Sequence, residues 1–315
     1  MVTRAFTFPG QGSQKVGMGQ PLAEAYAAAR EVFEEVDDAL GQKLSKLMWQ
    51  GEGDDLTLTE NAQPALMAVS VAVIRSLETE AGLGFGKHAA FVAGHSLGEY
   101  SALAASGALS LSDTAKLLRT RGQAMQKAVP VGKGAMAALL GLDLEVVEEK
   151  VIDADQADGI CTIANDNAPG QVVISGAKAA VDAAIERAKE AGAKRAMPLP
   201  VSAPFHCPLM QPAADAMAEA LGQITLAPPR VPLVANVTAE ATSDPDTICK
   251  LLVDQVTGRV RWRPSVLWLG DNGVDTLVEV GAGKILTGMA KRINRELTNF
   301  TVETPDDLEA FAKTL

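Results

Sequence analysis

Gly94-His95-Ser96-Leu97-Gly98 is the segment of this 315-residue chain best suited to chemistry. It has the G-x-S-x-G spacing of a nucleophile elbow, where a strand turns sharply into a helix and leaves a serine at the tip. The apolar run before it, residues 87–93, reads as a strand, and residues 99–108 read as a helix. A helix starting there aims backbone N–H groups at the serine, where an oxyanion would form. The competing reading is an ordinary turn with an N-cap serine. The strand-turn-helix context favours the elbow.

A serine attacks at neutral pH only with a base beside it. The chain has three histidines, His88, His95 and His206. His95 adjoins Ser96, and neighbouring side chains diverge on a sharp turn. His88 opens the expected strand, about 20 Å from its tip. Elimination leaves His206, in the proline-framed segment Ser202-Ala203-Pro204-Phe205-His206-Cys207-Pro208. Arg121 lies in a helix expected over residues 110–128, opened by the capping pair Ser110 and Asp113. Ala115, Leu118, Gly122 and Met125 mark its apolar face, and Arg121 sits roughly 60° from the centre of that face. A guanidinium there wants an anion, and its planar fork suits a carboxylate. From the helix alone, a structural ion pair fits Arg121 better than substrate binding. The loop Gly10 to Gln14 fails the dinucleotide template, with Lys15 where a glycine is required, and Gly281-Ala282-Gly283 fails likewise, with Leu286 in that place. Both read as tight turns. Gln11 is placed to aim an amide at a neighbouring site.

The elements needed to position these residues follow from apolar periodicity. Strands are expected at residues 5–8, 89–93, 233–236 and 275–280. Helices are expected at 21–40, 64–80, 99–108, 110–128, 210–221, 246–255, 262–272 and 284–295. This alternation predicts an α/β fold with a parallel sheet. Between them the rhythm changes: strand 135–140, helix 143–153, strands 160–165 and 171–175, helix 177–191, strand 195–201. That is the β-α-β-β-α-β order of a ferredoxin-like unit. The expected organisation is a discontinuous large domain, residues 1–131 and 202–315, with a small domain, residues 132–201, inserted in it.

The formal charge of −11 argues against nucleic acid and offers no broad attraction to an anionic membrane. No apolar stretch reaches the length of a membrane span. Cys161, Cys207 and Cys249 are odd in number and form no C-x-x-C, so neither a disulfide framework nor a zinc site is expected. No secretory leader is evident in residues 1–8, and the cytoplasm is the expected compartment.

Taken together, these residues resemble the malonyl-CoA:acyl-carrier-protein transacylases. Phe8-Pro9-Gly10-Gln11-Gly12-Ser13-Gln14 looks like the opening of that family. Gly94-His95-Ser96-Leu97-Gly98-Glu99-Tyr100 resembles its nucleophile motif, and Arg119-x-Arg121-Gly122 its arginine segment. Asn165-x-Asn167-x-Pro169-Gly170-Gln171-Val172-Val173-Ile174-Ser175-Gly176 is similar to the strand-turn-strand of its small domain. Phe205-His206 and Glu279-Val280-Gly281-x-Gly283 complete the set.

The resemblance implies an α/β-hydrolase-like large domain and a ferredoxin-like insert. It implies that Ser96 is acylated, that His206 is base and then acid, and that Arg121 pairs with the malonyl carboxylate. Gln11 and the Leu97 N–H would form the oxyanion hole, and Gln255 would orient His206 through its backbone carbonyl. Asn165 and Phe205 would line the acyl site, and a phenylalanine before the histidine goes with malonyl rather than methylmalonyl. Pro204 is a departure that bears on the fit of that loop. The implied reaction is ping-pong transfer from malonyl-CoA to an acyl carrier protein by a monomer, with the CoA thioester as substrate and no metal or cofactor. Lys189, Lys194 and Arg195, or Lys284, Lys291 and Arg292, are candidate docking cations for an acidic carrier. A serine hydrolase and a non-catalytic carrier-binding module are the rival readings.

Overall fold

Strands at both layers of the molecule are short and mostly buried. The structure, a computed structural model, describes residues 2–153, 157–201 and 203–315. Its strands in chain order are β1 (Arg4–Phe8), β2 (Phe91–Gly94), β3 (Gly134–Leu140), β4 (Cys161–Ala168), β5 (Gln171–Ala177), β6 (Arg195–Pro198), β7 (Leu233–Val234), β8 (Ala241–Thr242), β9 (Thr276–Val280) and β10 (Thr298–Val302). They form two sheets.

The larger sheet has the order β10-β9-β1-β2-β7-β8 and is parallel except for β8. Every residue of β1 and β9 is buried, as expected of central parallel strands covered by helices on both faces. The loops leaving the C-terminal ends of β1, β2, β7 and β9 carry Gln11, Ser96, Asn236 and Gly281. Ligands of open parallel sheets bind at that edge. The smaller sheet, β4-β5-β3-β6, is antiparallel throughout. The side-chain alternation of β3 divides its residues: Ala137 and Leu139 enter a core of the small sheet's own, whereas Met136 joins the main core.

Several ties join the sheets. Asn165 of β4 bridges to Val260, and Arg263 Nε donates to both carboxylate oxygens of the buried Asp166, at 2.9 and 3.0 Å. Arg292 donates to Gln171 Oε1 at 2.7 Å and to the Pro169 carbonyl at 2.8 Å.

Four of the expected elements depart from the periodicity. The helix expected over residues 21–40 is two, Gln20–Ala25 and Ala27–Leu40, broken where Tyr26 is extended. The helix expected from Pro64 runs over Thr59–Ala81, and Pro64 removes one ladder donor inside it. Lys87 and His88 belong to the short helix Phe85–His88, so β2 starts later than expected. The helix expected over 143–153 is a turn, Leu144–Val146, continued by a π-helix, Val147–Val151. Ser202, at the expected domain joint, lies outside the described residues. Among the described residues no helix is long and apolar enough to cross a membrane.

Candidate active site

The elbow is built by close approach. A Cβ on Gly94 would fall 1.9 Å from the Gly98 carbonyl carbon, and one on Gly98 would fall 2.3 Å from the Phe8 carbonyl oxygen. The left-handed residue of the turn is Ser96 itself, with φ 53°. Such a conformation costs a non-glycine residue about 1–3 kcal/mol. Asn236, just past β7, offsets the cost: its Oδ1 accepts from Ser96 N at 2.7 Å and its Nδ2 donates to the Gly94 carbonyl at 2.6 Å.

Ser96 Oγ lies 2.8 Å from His206 Nε2. His206 is also left-handed, with φ 58°, and is buried. Its Nδ1 lies 2.8 Å from the Gln255 carbonyl oxygen. A carbonyl only accepts, so Nδ1 carries the proton and Nε2 faces the serine as a base. Burial, and then the Arg121 cation, push the imidazole down to about 3. The ring is therefore neutral throughout the physiological range. Below the ordinary imidazole value the unfolded chain takes up a proton that the native one refuses, so His206 makes stability fall as pH drops from about 6.5 towards 3. For activity the expected result is different. Stopped-flow measurement of acyl-enzyme formation should show no fall in rate between about pH 7 and pH 5, where an ordinary histidine base would protonate.

Arg121, 1% exposed, is the second group on the same hydroxyl: its Nη2 donates to Ser96 Oγ at 3.1 Å. The same Nη2 donates to Gln255 Oε1 at 2.8 Å, and Nη1 donates to Gln63 Oε1 at 2.8 Å. The guanidinium lies 5.8 Å over the Tyr100 ring. Its helix, Leu111–Ala128, reaches this place by crossing Thr59–Ala81 at Gly122, where a Cβ would come 2.7 Å from the Thr59 carbonyl oxygen. Among the described residues no carboxylate hydrogen-bonds Arg121 directly.

These groups face a cleft of about 290 Å³ between the two sheets, lined also by Gln11, Phe205 and Asn165. Leu97 N–H, just before the helix Gly98–Ala105, donates to no group among the described residues, and Leu97 lines the same cleft. The Gln11 side chain is 3.5 Å from Thr59 Oγ1, too far to be held there. His95 turns from Ser96, as the tight turn requires, and its Nε2 lies 2.9 Å from Asn167 Oδ1. The structure thus brings Ser96, His206, Arg121, Gln255 and Leu97 into one constellation and puts Gln11, Asn165 and Phe205 on its walls. Of the docking cations, Lys189 pairs with Glu186 at 2.7 Å, and Arg292 is committed to the tie between sheets.

Three supporting residues escaped sequence reasoning: Asn236, Gln63 and Glu99. Asn236 follows a parallel strand at its C-terminal end, and that position is the signal that could have found it.

The geometry agrees with what the chain matches. A family model described as the acyl transferase domain covers residues 5–304. The chain belongs to the acyl transferase family. It is 45% identical over 311 residues to the malonyl CoA-acyl carrier protein transacylase of Bacillus subtilis, covering 99% of this chain and 96% of that one. It is 45% identical over 310 residues to the enzyme of the same name from Escherichia coli K12, covering 98% and 99%. Among solved structures, the acyl-carrier-protein-S-malonyltransferase of Bartonella henselae superposes with a TM-score of 0.97 at 58% identity, covering 100% of this chain and 99% of that one. A malonyl-transacylase in complex with a type II PKS acyl-carrier protein superposes at 0.95 with 40% identity, covering 99% and 100%.

Proposed function

We propose that this acyl transferase moves malonyl groups from malonyl-CoA to the phosphopantetheine thiol of an acyl carrier protein, through a malonyl ester on Ser96. The observation that carries this reading is one hydroxyl shared by a base and a buried cation, His206 Nε2 at 2.8 Å and Arg121 Nη2 at 3.1 Å. An acyl group on Ser96 that ends in a carboxylate would have this cation beside it. The names of the relatives support the same donor and acceptor.

In the first half-reaction His206 Nε2 takes the Ser96 proton as Oγ bonds to the thioester carbon. Arg121 beside Oγ lowers the cost of the developing negative charge. The Leu97 N–H and Gln11 receive the oxyanion. The carbon–sulfur bond then breaks, and the CoA thiolate leaves with the proton from His206. In the second half the carrier thiol gives its proton to His206, its sulfur attacks the ester carbon, and Ser96 Oγ departs and recovers the proton. Acylation turns Oγ into a poor acceptor, which frees an Arg121 Nη2 N–H for the malonyl carboxylate. Asn165 and Phe205 bound the acyl group.

The reading extends to architecture. The parallel sheet with its serine elbow is α/β-hydrolase-like, and the order β4-β5-β3-β6 is that of a ferredoxin-like unit inserted as residues 132–201 between residues 1–131 and 202–315. The chemistry needs no metal or cofactor, because the thioester supplies the activated acyl group. The constellation of Ser96, His206, Arg121 and Gln255 is complete without a residue from a second copy, and we read the protein as a monomer. Three unpaired cysteines suit the cytoplasm.

Transfer differs from hydrolysis in its dependence on the acceptor. CoA release from malonyl-CoA should stop after one equivalent without carrier protein and turn over at least about tenfold faster with it. Steady CoA release without carrier would make the chain a hydrolase.

A further inference from the structure

Behind the constellation lies a buried carboxylate with no part in the steps above. Glu99 is 1% exposed, in the first turn of the helix Gly98–Ala105. Both of its oxygens accept: Oε1 from Asn236 N at 2.6 Å, and Oε2 from Gln255 Nε2. Asn236 is the residue that holds the Ser96 backbone. Gln255, fully buried, holds the site at two further points, with its carbonyl on His206 Nδ1 and its Oε1 on Arg121 Nη2.

The direction of the Gln255 amide decides what Arg121 meets. A primary amide has an accepting and a donating end. Glu99 Oε2 and the Ser96 carbonyl, at 3.0 Å, both face its Nε2, so its oxygen must face the guanidinium. If the amide turned over, two donors would confront each other beside a buried cation. The same arrangement keeps the guanidinium open to a ligand. A carboxylate bonded directly to Arg121 would occupy the fork that a substrate carboxylate must reach, and Glu99 stands one amide away instead. Burial outweighs the two N–H donors and Arg121, and the Glu99 carboxyl is raised to about 8.

We propose that Glu99 is a positioning residue: through Gln255 it presents Arg121 to the substrate carboxylate, and so sets the preference for acyl groups that carry one. The inference rests on the malonyl-transfer reading of the site. It separates Glu99 from a merely structural acid, whose loss would slow all acyl groups alike.

The test is the rate of acyl-enzyme formation from malonyl-CoA and from acetyl-CoA, by intact mass, in wild type, Glu99→Gln and Gln255→Leu, with thermal unfolding of each. In Glu99→Gln an amide group faces the Gln255 amide group and favours its turning over. The expected result is a malonyl rate lower by about 10- to 100-fold with an acetyl rate changed by less than about threefold. Gln255→Leu keeps the backbone carbonyl on His206 and should shift the ratio in the same direction. It decides the matter should Glu99→Gln fail to fold. A malonyl-to-acetyl ratio within twofold of wild type in the folded variants would overturn the proposal. Failure of wild type to load either group would instead remove the malonyl-transfer reading on which it rests.

Discussion

Ser96→Ala is expected to abolish covalent loading, with acyl-enzyme formation from malonyl-CoA reduced by at least about 10³-fold. Among the described residues no other hydroxyl bonds the His206 imidazole, which meets Ser96 at 2.8 Å and the Gln255 carbonyl behind it. Alanine leaves the elbow's other requirements in place. The left-handed φ of 53° at position 96 costs alanine about what it costs serine, and Asn236 still binds the backbone N–H. The variant should therefore unfold within about 1 kcal/mol of wild type while losing its chemistry. Intact mass after a brief incubation with malonyl-CoA, beside a thermal melt, reads both. A variant that keeps an adduct would move the nucleophile elsewhere.

Arg121→Ala is expected to change which acyl group is loaded. Truncating one partner of a buried charge pair costs about 2–5 kcal/mol, so malonyl loading should fall by roughly 30- to 4,000-fold. Acetyl loading lacks that pair and should fall far less, so that acetyl becomes the better substrate. The variant also leaves Gln63 Oε1 and Gln255 Oε1 without their donor, so some loss of stability is expected as well. Competition between malonyl-CoA and acetyl-CoA, read as the ratio of the two adducts, separates these effects. Equal losses for both acyl groups would return Arg121 to the structural role that its helix position alone suggested.

What the sequence made legible was local. The elbow could be read because glycine spacing and a strand-to-helix change occur within a dozen residues. His206 could be read because so few histidines compete for the role. The periodicity of Leu111–Ala128 placed Arg121 beside the buried face without telling its partner. That partner set comes from elsewhere in the chain: Gln63 on one helix and Gln255 on another, with Glu99 and Asn236 behind. Each is a buried polar residue whose meaning depends on packing between distant segments, and no local pattern carries that. The strand β10 was missed for another reason. Thr298, Asn299 and Thr301 make it polar, as suits a partly exposed strand at the sheet edge. The helix after it, Pro305–Ala312, had a signal that went unread: Thr304 and Asp307 form a capping box around Pro305.

The central claim is a malonyl ester on Ser96 that passes to a carrier thiol, and one measurement meets it directly. The protein is incubated briefly with malonyl-CoA, freed of CoA, and divided. One portion is digested to locate the adduct, and the other is mixed with holo acyl carrier protein and weighed intact. A malonyl-sized adduct on the peptide containing Ser96, passing to the carrier on mixing, is the predicted result. An adduct on another residue, or one that carrier protein does not remove, would contradict it.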